Sequence, residues 1–262
     1  MIGVVDVERV DRGDVAAGGD PPEVELDNAD AVYEYYRTHR QPVVAAKGAY
    51  ALLDLRYRPR VRFSSGARRA VRDLVRSGRP VVVVANHLTH SDQYVLAATA
   101  WRTPLRRVIG YTRVLAKDEL FVDPAQRRKI DVMGGIPVFR GKDHGLRVVA
   151  DAGRRMMDVS AERISRGDSL AIFPEGTCNE GDPARVQSIG SGVGHIVARA
   201  VARGADPALL AIGICYGPET RIRSASVHVA VPDLTLPGKP MEVARFARER
   251  LQSAVDAAVA AY

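Results

Sequence analysis

Cysteine is nearly absent: Cys178 and Cys215 are the two thiols in 262 residues. That excludes a disulfide framework, and the chain carries no zinc-type spacing. Lysine is scarce as well, five of the 38 basic residues. The arginine excess, beside abundant Ala, Val and Asp, reflects coding bias rather than a nucleic-acid surface. No interleaved aromatic and basic motif or recognition-helix pattern supports a nucleic-acid partner. No apolar run approaches the ~18 residues that would span a bilayer. Nothing at the N-terminus reads as a signal peptide, because Asp6, Glu8 and Arg9 interrupt the apolar start. Lys117-Asp118-Glu119-Leu120 is internal, so it is not a retention signal. These absences give a cytoplasmic expectation. The net charge of +7 favours anionic membranes or the phosphates of a carrier.

What is present is an alternation of apolar strands and amphipathic helices without repeats or linker. Residues 1–27, with Gly-Asp, Gly-Gly and Pro-Pro pairs, read as an irregular leader. Residues 28–262 read as one α/β domain with a mostly parallel central sheet flanked by helices. Helices are expected from Asn28 or Asp30 through His39, over Val43–Tyr57, and over Ala67–Ser77 with Ser64 or Ser65 as cap. Arg60–Phe63 alternates like an edge strand, and Arg107–Gly110 looks like a short one. The segment from Phe121 to Val132, interrupted by Pro124, reads as a surface helix or loop. Asp143 is placed to cap a long helix carrying Leu146, Val149, Met156, Met157 and Ile164. Further strands are expected at Ile136–Phe139, Ser169–Phe173, Leu209–Cys215 and Ser226–Val231. Helices are expected over Ser191–Arg203 and from Pro240 onward.

The chain is organised around Val81–Ala85, five small or β-branched apolar residues that read as a fully buried strand. It ends in Asn86-His87, and Ser91 or Asp92 can cap the helix that follows. In open α/β sheets, chemistry collects at the carboxyl ends of strands. Across a loop that folds back, the Asp92 carboxylate can hold one imidazole nitrogen of His87 and leave the other free to take a proton. Two more polar clusters close apolar strands: Gly134-Gly135-Ile136-Pro137-Val138-Phe139-Arg140 and Phe173-Pro174-Glu175-Gly176-Thr177.

Asn86-His87-x4-Asp92, Gly134-x5-Arg140 and Phe173-Pro174-Glu175-Gly176-Thr177, in that order, resemble the first three motifs of the PlsC-type glycerolipid or lysophospholipid acyltransferases. Ala116-Lys117-Asp118-Glu119-Leu120-Phe121 resembles the segment which that family carries between its first two motifs. The resemblance runs from about Arg79 to Tyr216. It implies transfer of an acyl group from a thioester, coenzyme A or acyl carrier protein, to a hydroxyl or amine of a lipid-like or small-molecule acceptor. His87 would be the general base and Asp92 its orienting group; Asn86, Arg140, Glu175, Gly176 and Thr177 would bind substrate. No metal and no cofactor beyond the donor thioester are implied. N-terminal helices of that family often rest on a membrane, and packing on the domain's own sheet is the other reading of the same residues.

Departures from the family pattern are specific. Glu-Gly-Thr is followed by Cys178-Asn179 where Arg-Ser is usual. Gly190-Ser191 replaces a basic pair, and the fourth motif's proline is missing from Leu209–Gly213. A phosphate pocket short of these charges predicts that phosphomonoesters are poor acceptors. Cys178 is not expected to carry the acyl group: no histidine lies near it in sequence, and the resembled family transfers directly and needs no such nucleophile. Three other readings remain at this stage. One is a zinc hydrolase using His87, His90 and Asp92, which Leu88 and Gln93 disfavour. The others are a silent lipid- or carrier-binding module and an acyl thioesterase.

Overall fold

A computed structural model describes residues 21–218, 220 and 222–262. The described elements in chain order are α1 (Ala29–Thr38), α2 (Val43–Tyr57), β1 (Arg60–Phe63), α3 (Ala67–Arg76), β2 (Val81–Ala85), α4 (Asp92–Arg102) and β3 (Thr112–Lys117). They continue with α5 (Pro124–Val132), β4 (Gly135–Val138), α6 (Gly141–His144), α7 (Ala150–Ser165) and β5 (Ser169–Ile172). The last are α8 (Gly192–Ala202), β6 (Ala208–Cys215), β7 (Ser226–Val229) and α9 (Pro240–Ala260).

The seven strands form one sheet in the order β1-β7-β6-β2-β5-β3-β4. From β6 to β4 every pair is parallel. β7 runs antiparallel to β6, and β1 pairs parallel with β7 as the expected edge strand. β2 lies in the middle, buried on both faces, and its side chains alternate between two cores. Val82 and Val84 face a layer formed by α1, α7, α8 and α9. Val81, Val83 and Ala85 face α3 and α4. This is the mostly parallel α/β domain expected from the pattern of elements.

Backbone contacts at glycine lock the last helix onto the sheet. A Cβ at Gly213 on β6 would lie 2.1 Å from the carbonyl oxygen of Ala254 on α9. One at Gly194 on α8 would lie 1.9 Å from that of Pro240. α1 buries Val32, Tyr33 and Tyr36 in the core. α2 buries Ala46 and Tyr50 against Ala97 and Ile109, which leaves Val44, Leu52 and Leu55 exposed.

Several expectations need correction. Arg107–Gly110 is no strand: Pro104–Val108 is a 3-10 turn, and the strand is β3, five residues later. β3 carries the buried Arg113, whose guanidinium meets Asp168 at 2.9 Å while Arg163 meets the same carboxylate at 2.6 Å. The long helix capped by Asp143 is two helices. Gly145, at φ +91, stands in the left-handed region that ends α6, and Leu146 is exposed. Asp143 bonds Arg140 rather than capping. Gly66, not a serine, occupies the N-cap of α3. Asp123 caps α5 through the Gln126 N–H at 2.6 Å, with Pro124 in its first turn. Of the leader, residues 1–20 lie outside the described residues, while Val24 is buried and Leu26–Asn28 form a 3-10 turn.

Candidate active site

Where β2 ends, a side chain takes over the ladder. Asn86, buried, donates from Nδ2 to the Ile214 carbonyl at 2.9 Å and accepts from the Ile214 N–H at Oδ1 at 2.7 Å. Its amide therefore substitutes for a peptide group against β6. The expectation that Asn86 contacts substrate gives way to this: its polar atoms are spent on the backbone, and it sets where His87 begins.

His87 is fixed from several sides. Its N–H donates to Glu175 Oε1 at 2.7 Å, and its carbonyl accepts from the Asn179 N–H at 2.7 Å. The ring stacks on Phe173, with centroids 4.5 Å apart. Nδ1 lies 2.8 Å from Asp92 Oδ2. A carboxylate there requires the proton on Nδ1, which leaves the Nε2 lone pair free.

Asp92, the first residue of α4, is fully buried. Oδ2 also accepts the Leu88 N–H, and the Thr89 N–H at 2.9 Å. Oδ1 accepts the Thr89 hydroxyl at 3.2 Å and the Tyr216 phenol at 2.5 Å. A buried carboxylate is tolerated when donors surround it, and a helix N-terminus favours its charge. Tyr216 was not singled out in the sequence; a tyrosine just past the buried strand that ends at Cys215 was the available signal. Burial, then the charge of Asp92, pushes its phenol above the ordinary value, so it remains a donor.

The Phe173–Thr177 cluster meets this pair from β5. Glu175 accepts the His87 N–H with one oxygen and the Gln187 N–H at 3.0 Å with the other. Burial raises its pKa, against the pull of these two backbone bonds. The carboxylate therefore ties the β2 loop to the β5 loop, and both its oxygens are committed to that tie. Gly176, at φ +69, makes the turn with its N–H on the Phe173 carbonyl at 3.0 Å.

Arg140 reaches the same turn, donating to the Gly176 carbonyl at 3.3 Å and to Asp143 at 2.8 Å. Lys142, missed by sequence reasoning, donates to the Thr177 hydroxyl at 3.3 Å. The slight desolvation of the exposed Asp143 is outweighed by the bond and charge of Arg140, with Lys117 and Lys142 adding, so its carboxyl lies below the usual range. His144 Nε2 meets Asp118 at 2.7 Å, which joins the Ala116–Phe121 segment to α6. The three clusters thus lie together at the carboxyl ends of β2, β4 and β5.

Cys178 is where the sequence argument fails. Ninety-one residues separate it from His87, yet its Sγ is 3.5 Å from His87 Nε2, and 3.9 Å from His90 Nδ1. Remoteness in sequence says nothing about two loops at adjacent strand ends. Burial, then the charges of Asp92 and Glu180, pushes the thiol up, so it rests protonated.

No curated protein matches the chain. A family model described as Acyltransferase matches residues 66–215, more than half of it, spanning β2 through β6 and all three clusters. The chain belongs to the PlsC-type acyltransferase family.

Proposed function

We propose that the protein is an acyltransferase of lipid or specialised metabolism, acting chiefly as an O-acyltransferase. It draws the acyl group from a thioester, acyl-coenzyme A or acyl carrier protein, and delivers it to a hydroxyl or amine of a lysophospholipid-like or small-molecule acceptor. The observation that carries this reading is the 2.8 Å contact between His87 Nδ1 and a fully buried Asp92 carboxylate. His87 Nε2 takes the proton of the group attacking the thioester carbonyl and returns it to the departing thiolate, a contribution of about 10²–10⁴ in rate. Asp92 holds the tautomer and stabilises the imidazolium. Glu175 and Asn86 act as positioning residues, and Arg140, Lys142 and Thr177 face the acceptor. The thioester already carries the activation, so no metal or further cofactor is needed. The setting is cytoplasmic, with the exposed Val44, Leu52 and Leu55 of α2 as the contact to a membrane surface.

The test supplies decanoyl-coenzyme A with a panel of hydroxyl and amine acceptors and measures free thiol and acylated product. His87→Ala should lose at least about a hundredfold while keeping its fold. His90→Ala should be milder, since the carboxylate stands behind His87. An inert His90→Ala beside an active His87→Ala reverses the assignment. Free acid without acylated product from any acceptor points to a thioesterase.

A further inference from the structure

We infer that the donor thioester arrives on an acidic carrier protein, which docks in an arginine-lined groove at the far end of α4 from the catalytic pair. The inference rests on the acyltransferase reading and deepens it, by naming which of the two donors is used. The groove is a cleft of about 510 Å³ between α3, the end of α4 and the 3-10 turn that follows it. α3 contributes Arg68, Arg72 and Arg76, while Arg102 and the turn residues Arg106 and Arg107 come from the other side. One carboxylate lines the cleft, that of Asp54, and it is committed to Arg102. The other five guanidiniums meet no carboxylate among the described residues. Elsewhere arginines gather round an acid, as Arg113 and Arg163 do on Asp168, and Arg199 and Arg203 on Asp158.

Helix energetics alone would not place these cations here. α3 has Arg68 and Arg69 in its first turn and no acidic residue there, the reverse of what a helix N-terminus favours. Arg68, Arg72 and Arg76 follow at four-residue spacing, so each repels the next on one face. The opposite face is spent on the core through Val71, Leu74 and Val75. An exposed, self-repelling row is relieved when a partner supplies the opposite charge.

The geometry favours an acidic helix over a lipid surface. Four residues of helix rise about 6 Å, so the α3 row offers guanidiniums at that interval. Carboxylates on successive turns of a partner helix repeat at nearly the same interval, and a guanidinium fork takes each in two parallel bonds. A bilayer contact needs apolar side chains beside the cations. The residues lining the groove include no exposed large hydrophobic one. Trp101, its one aromatic ring, is covered by Arg106, 5.5 Å from the ring centroid. α4 connects this groove to the chemistry: Asp92 opens the helix and Arg102 ends it, about 15 Å apart. A carrier docked there stands clear of the reacting atoms and presents its thioester to His87 on a flexible phosphopantetheine tether.

The experiment compares two donors, a tryptophan-free acyl carrier protein loaded with decanoate and decanoyl-coenzyme A, on the full chain with the same acceptor panel. Trp101 is the single tryptophan and lines the groove, so its emission reads docking directly. Emission should change as carrier is added, and the apparent affinity should fall steeply between about 50 and 300 mM salt. The test variant is Arg68→Glu/Arg72→Glu; both positions are exposed, and glutamate suits the first turn of α3. Its KM for the decanoyl carrier should rise at least about tenfold, with kcat within about twofold. Its KM for decanoyl-coenzyme A should change by less than about threefold. Should the melting profile show that the double variant fails to fold, Arg72→Ala makes the same comparison. Equal losses with both donors overturn the proposal, as does a carrier KM unmoved by the substitutions. If the variant loses only its sedimentation with phosphatidylglycerol vesicles, the groove serves a lipid surface and the proposal fails. A wild type that uses decanoyl-coenzyme A but neither binds nor uses the carrier also overturns it, and leaves the acyltransferase reading standing. Carrier binding through the groove with no transfer from either donor overturns both.

Discussion

Replacing Tyr216 with phenylalanine separates the support of the buried carboxylate from the chemistry. Among the described residues five donors reach Asp92: His87 Nδ1, the Leu88 and Thr89 N–H groups, the Thr89 hydroxyl and the Tyr216 phenol. Three of them, including His87, reach Oδ2, while the phenol serves Oδ1. The substitution therefore takes a donor from the oxygen that does not face the imidazole. A hydrogen bond to a charged group is worth about 1.5–3 kcal/mol. At roughly 2–4 °C per kcal/mol for a protein of this size, Tm should fall by about 3–12 °C. The oxygen holding His87 keeps its donors, so acyl transfer measured well below the melting transition should stay within about tenfold of wild type. Thermal unfolding by circular dichroism and thiol release from decanoyl-coenzyme A read the two quantities. A variant that melts with the wild type yet loses activity a hundredfold refutes the reasoning, because the phenol would then act on the reacting atoms.

Three further expectations follow from other parts of the molecule. Asp168→Ala leaves Arg113 and Arg163 buried without their shared carboxylate, a loss of about 3–5 kcal/mol visible as a Tm drop of roughly 6–20 °C; an unchanged Tm contradicts it. The turn that Arg140 reaches is less cationic than the family pattern at Cys178 and Gly190-Ser191, and Asp143 partly neutralises Arg140. Lysophosphatidate should thus be acylated at least about tenfold less efficiently than zwitterionic or neutral acceptors, one lost charge-assisted bond being enough; efficient, Arg140- and Lys142-dependent acylation of lysophosphatidate overturns this. His39 packs on Tyr35 and Tyr36 with Nε2 buried and no hydrogen-bond partner among the described residues. Burial lowers its pKa, with Asp131 opposing and Arg113 and Arg127 adding. The unfolded chain then takes the proton first, so unfolding free energy should fall as pH drops below about 6.5, and His39→Phe should flatten that slope in urea titrations.

Strand and helix positions were legible wherever the apolar pattern agreed with burial. Val81–Ala85, Ala208–Cys215 and the Pro240 helix are such cases, because no polar group interrupts their buried faces. β3 was displaced by Arg113, a buried cation whose partner Asp168 lies 55 residues away and which local pattern reads as surface. The α6–α7 break was hidden because Leu146 and Val149 continue an apolar period across Gly145, although Leu146 faces solvent. At the site, motif residues were legible but their partners were not. Tyr216 on Asp92, Lys142 on Thr177 and Cys178 on His87 are pairings between different strand ends, set by sheet order and not by spacing.

The seating of α9 on Gly213 has a consequence for biosynthesis. β6 supplies Ile214 to Asn86, and Tyr216 just beyond it serves Asp92, so the reactive pair is held by the strand that α9 covers. A nascent chain on the ribosome that has emerged only through β7 has its His87 loop but lacks the lid over Leu209, Ala211 and Gly213. Those residues would face water until residues 240–260 follow. The competent enzyme is thus expected only after the last helix leaves the exit tunnel, and a prematurely stopped product would present an apolar sheet face to chaperones rather than to substrate.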